Sequence, residues 1–129
     1  MVLASGETGS GDEVYIYGEK REEKTGTITS GSIVKGEITA ISKNHFPGFS
    51  VQGELVGISK ISLKLLNRMC VQHEANPEFP CNRHYEECIS DLCSKTGIPF
   101  LRVGDLVWTE IDDQSHYERA VKEILPRLI

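Results

Sequence analysis

The sequence predicts a mixed α/β domain, and two observations carry that prediction. β-rich runs and amphipathic helical stripes follow one another in the order strands, helix, helix, strand, strand, helix. With 129 residues and 14.4 kDa the chain has the length of one domain that can bury a core of its own. It opens with strands and closes on a helix after a buried strand. Such a chain lacks a complete doubly wound sheet.

Residues 1–12 are rich in Gly, Ser and Thr and are expected to form a flexible N-terminal segment, with the domain running over 13–129. Glu13–Tyr17 is a short β-rich run. The charged stretch Glu19–Lys24 and the Thr/Ser/Gly-rich Thr25–Ser32 predict an exposed hairpin or loop. Gly36–Ser42 has a β pattern, Asn44–Gly48 signals a turn, and Phe49–Ser59 is a strand buried toward its end. Ser62 caps a helix over Leu63–Glu74, with Leu65, Leu66, Met69 and Cys70 inward. Asn82 caps a second helix, on which Tyr85, Cys88, Ile89, Leu92 and Cys93 form one stripe; Gly97 ends it. Ile98–Val103 and Leu106–Ile111 are strands. Asp112 or Asp113 caps the last helix, with Tyr117, Ala120, Val121, Ile124 and Leu125 on its core face and Pro126 closing it.

Composition excludes several classes. The net charge is −5 and the 14 Lys and Arg are spread along the chain. A chain without a basic stripe is a poor match for nucleic-acid binding. The longest apolar runs, Met1–Ala4 and Val14–Tyr17, are far shorter than the roughly 20 residues of a membrane-spanning helix. No secretion signal is visible, and a cytoplasmic location is expected.

The stretch Trp108-Thr109-Glu110-Ile111-Asp112-Asp113 carries the most chemistry. On a strand, Glu110 and Asp112 would face one side, at the edge where α/β sheets bind ligands. Two carboxylates there suit Mg²⁺. The plainer reading makes Asp112 or Asp113 a helix cap and leaves Glu110 exposed.

Val103–Ile129 resembles the C-terminal end of the nucleotidyltransferases that make nucleotide-diphospho-sugars and related conjugates. The resemblance lies in Trp108, Glu110, Ile111 and Asp112, followed by Glu118-Arg119-Ala120. Gly53-Glu54-Leu55-Val56-Gly57 is similar to the family's strand before a helix, and Tyr85-Glu86-Glu87 to a helix start. The nearest subgroup is the phosphocholine and 2-aminoethylphosphonate cytidylyltransferases. The resemblance implies a Rossmann-like sheet with flanking helices. The implied reaction moves a nucleotidyl, preferably cytidylyl, group from a nucleoside triphosphate to a phosphorylated or phosphonylated small molecule. Glu110 and Asp112 would hold Mg²⁺, and Tyr85, Glu86, Glu87 and Glu54 would bind the acceptor. The family's N-terminal Gly-rich nucleotide loop and first metal aspartate have no counterpart here. The expectation is therefore the C-terminal half of such a domain, inactive on its own.

Cys70, His73, Cys81 and His84 form a second constellation, with ligand types and gaps that suit tetrahedral Zn²⁺. Against zinc, Cys70, Cys88 and Cys93 fit the apolar stripes of their helices, where free Cys acts as a small hydrophobe. His45 and His116 read as solvated. The reading from a different class is a non-catalytic interaction module, self-associating or zinc-bound. A half sheet would expose an edge strand and an apolar face, and both invite dimers.

Overall fold

A computed structural model describes residues 1–6, 14–20, 33–44, 48, 50–78 and 82–129. Among the described residues there are five strands: β1 (Val2–Ser5), β2 (Tyr15–Lys20), β3 (Ile33–Ser42), β4 (Val51–Ser59) and β5 (Pro99–Val103). They hydrogen-bond in the order β1-β4-β2-β3-β5 and close into a barrel. Every pairing is antiparallel except the one that closes the ring, β1 with β5.

This overturns the expected Rossmann-like α/β sheet with flanking helices. A doubly wound sheet needs successive parallel strands joined by helical crossovers. Here β2 and β3 pair directly with each other, and the helical insertion between β4 and β5 leads to a strand bonded to β1 and β3. The free edge expected of a half sheet is absent from the barrel, because closure pairs every strand on both sides.

Closing so few strands demands strong bending. Register shifts between Val2 and Ala4, between Tyr17 and Gly18, and between Ile16 and Tyr17 supply it. So do close backbone approaches. A Cβ on Gly53 would lie 2.4 Å from the Ser5 carbonyl oxygen, and one on Gly18 would lie 2.1 Å from that of Glu37. Only glycine lets those strands come so near.

β1 corrects the reading of residues 1–12 as a flexible segment. Val2, Ala4 and Ser5 are at most 1% exposed. Backbone bonds between Met1 and Lys60, both 2.9 Å, extend the β1–β4 pairing beyond Ser59. The remainder of that segment, 7–12, lies outside the described residues.

Two helices connect β4 to β5. α1 (Leu63–Glu74) starts at Ser62, whose Oγ accepts from the Leu65 amide at 3.2 Å. Only Met69 of its expected inward set is buried; Leu65 is half-buried, and Leu66 and Cys70 are exposed. α2 (Tyr85–Cys93) starts at His84 rather than Asn82. It packs on β3, where Ser90 Oγ accepts from the Ile41 amide at 3.1 Å. Ile89 and Leu92 join Ile38, Ile41, Phe100, Val2 and Ile16 in one apolar core.

After β5 the chain turns at Gly104–Asp105. The strand expected over Leu106–Ile111 is an irregular stretch instead, with Leu106–Glu110 half-buried. A closed barrel offers no edge on which a sixth strand could pair. The C-terminal helix then runs without a break through α3 (Gln114–Arg119), a π-helical segment (Ala120–Ile124) and α4 (Leu125–Leu128). Pro126 does not close it. Proline has no N–H to give and its ring crowds the carbonyl four residues back. The preceding turn widens, and the Leu125 amide bonds to the Ala120 carbonyl, five residues back.

Candidate functional site

The expected site residues part company in this fold. Glu54 sits on β4 opposite Ser5 and Tyr15, 1% exposed, within the barrel wall. It shares that wall with Gln52, which is 4% exposed and donates from Nε2 to the Gly18 carbonyl at 3.0 Å. Arg102 on β5 reaches across to the Gln52 carbonyl with Nη1 at 3.2 Å.

Glu87 is tied up locally. Its Oε2 accepts from the His84 amide at 2.8 Å, completing the first turn of α2. Tyr85 is 41% exposed at the start of the same helix, not part of the core stripe. Burial of its ring edge raises the phenol's pKa, and the nearby charges of Glu86 and Glu110 push it the same way.

Asp112 and Asp113 flank His116, whose Nδ1 is 4.0 Å from Asp112 Oδ2 and whose Nε2 is 3.8 Å from Asp113 Oδ2. The His116 side chain is only 12% exposed there, so it is not the solvated group expected. Asp113 is the helix cap. Its Oδ1 accepts from Ser115 Oγ at 2.7 Å and from the His116 amide at 2.9 Å. Those bonds hold its carboxyl below the ordinary range, the Ser115 hydroxyl contributing most.

The pairing of Glu110 with Asp112 presupposed a strand, and the stretch is not one. Among the described residues, no group of three or more His, Cys, Asp and Glu is placed to hold a metal ion. Glu110 and Asp112, the two carboxylates that the resemblance assigns to Mg²⁺, are thus not aligned by the alternation of a strand. Of the zinc set, Cys70 and His73 lie on α1 and His84 caps α2, while Cys81 lies outside the described residues. Cys70 and Cys93 are free thiols. A cavity of about 310 Å³ opens between Lys60–Ser62, Leu65 and Thr96–Pro99, and no expected site residue lines it.

What the sequence reading missed is the outer face of the C-terminal helix. Tyr117, Val121, Leu125 and Leu128 are 53%, 43%, 49% and 64% exposed. No residue of that helix is buried. The amphipathic pattern was legible, yet three of those residues were assigned to a core. The helix is tied to the preceding stretch by Arg119, whose Nη2 donates to Thr109 Oγ1 at 3.0 Å. A Glu118–Lys122 ion pair at 3.3 Å and a Gln114–Glu118 hydrogen bond at 3.3 Å run along its side.

No protein-family model matches the chain. Among the described residues, no helix is long and apolar enough to cross a membrane.

Proposed function

We propose that this chain is a self-associating interaction module: a small closed barrel that presents its C-terminal helix for assembly. The observation that carries this reading is the apolar ridge Tyr117–Val121–Leu125–Leu128, 43–64% exposed on a helix with no buried residue. Large apolar side chains lined up on one exposed helix face mark an interaction surface. An isolated helix this short is marginal in water, so a cover for the ridge would also stabilise the helix.

The nucleotidyl-transfer expectation relied on a Rossmann-like sheet and on carboxylates paired along a strand. Neither is part of the fold, and the interaction reading takes its place.

Sedimentation equilibrium over a dilution series tests the reading. The expected result is a concentration-dependent average mass that rises from 14.4 kDa toward twice that value. A constant 14.4 kDa up to millimolar concentration would refute self-association.

A further inference from the structure

We propose that the partner of the C-terminal helix is the same helix of a second copy, packed antiparallel about a twofold axis at Val121. The inference rests on the self-association reading and adds to it a partner, an orientation and a centre. Charge placement carries it. The turn that starts the helix is acidic, with Asp112 and Asp113, and its last turn carries Arg127, while Glu118 and Lys122 pair with each other along its side.

Antiparallel packing lays the basic end of one helix, with Arg127, along the acidic start of the other, with Asp112 and Asp113. It does so at both ends at once, as twofold symmetry requires. It also opposes the two helix dipoles. Parallel packing would set the two acidic starts side by side, where like charges repel. Along the ridge, Val121 lies between Tyr117 and Leu125, so antiparallel copies bring Val121 to Val121 and Tyr117 to the partner's Leu125. The ends of the helix carry the larger exposures, Tyr117 at 53% and Leu128 at 64%. Antiparallel pairing places a large side chain of one copy over the far end of the other.

Cysteine cross-linking tests the orientation. All variants carry Cys70→Ser, which removes the exposed thiol among the described residues, together with Cys81→Ser, and all are treated with mild oxidant. A disulfide requires Cα atoms within about 7 Å, so linkage reports register. Val121→Cys is expected to link to itself. Tyr117→Cys alone and Leu125→Cys alone are expected to stay unlinked, and an equimolar mixture of those two to form a heterodimer. Self-linkage of Tyr117→Cys and of Leu125→Cys would overturn the antiparallel arrangement.

Val121→Asp supplies the second arm, read by sedimentation with circular dichroism confirming the fold. Two carboxylates at the axis are expected to weaken the dimer roughly 100-fold. If Val121→Asp sediments as the unmodified dimer does and no pair links, the interface lies elsewhere. The inference then fails while self-association stands. If the unmodified chain is monomeric throughout, the broader reading fails first.

Discussion

The carboxylate of Asp113 accepts two hydrogen bonds and stands 3.8 Å from His116 Nε2, so it is the group on which the start of the C-terminal helix depends. Its pKa is depressed in the folded chain from an ordinary 3.8. The stabilisation is therefore complete above that value and is lost as pH falls through the lower folded value. Circular dichroism is expected to show part of the helical signal disappearing in that acid range, and Asp113→Asn to keep more of it. Cys93 behaves in the opposite sense. Burial pushes its thiol from 9.0 to about 11. The folded state favours the neutral thiol, so this contribution holds below 9.0 and is lost as pH climbs through about 11. At about pH 8, alkylation followed by mass spectrometry should therefore modify Cys70 well before Cys93, and equal rates would contradict the burial of Cys93. At this scale the sequence was partly legible. A helix cap at Asp112 or Asp113 follows from residue type and position. That His116 folds back between both carboxylates does not, because its rotamer is set by the packing of the turn.

At the scale of elements, the β3, β4, α1, α2 and β5 segments follow from local periodicity, which is what sequence reveals best. β1 was hidden in a Gly- and Ser-rich context, and its four residues are strand only because β4 and β5 flank them. Leu106–Ile111 has strand composition without a strand's partners. The strands impose their own constraints. Gly53→Ala would drive a methyl to 2.4 Å from the Ser5 oxygen, so it should force β1 and β4 apart and lower the melting temperature sharply. Phe100→Ala removes a fully buried ring from the core and is expected to cost roughly 3–5 kcal/mol, measurable by urea unfolding. By contrast, Leu125→Ala lies on an exposed face and should leave monomer stability within about 0.5 kcal/mol. A large loss there would show that the ridge packs inside its own chain.

For the molecule as a whole, closure decides both the fold and the reading of function. Barrel closure joins Val2 on β1 to Phe100 on β5, and no local pattern encodes a contact of that range. The same limit explains the last helix. Amphipathicity in Tyr117, Val121 and Leu125 says that a face is to be covered, and it does not say by what. Core burial was the natural expectation for a three-layer sheet. In a barrel already covered by α2 at β3, that face remains outside. The resemblance to nucleotidyltransferases drew on short blocks whose spacing survives while their geometry does not. Asp112 turns to His116 instead of lining up with Glu110 along a strand. The most direct measurement is amide hydrogen exchange of residues 114–128 as a function of protein concentration. Weak protection is expected when dilute, with protection that grows as copies associate, while the barrel amides of β3 and β4 stay equally protected throughout. Protection of the helix that is independent of concentration would contradict self-association through it.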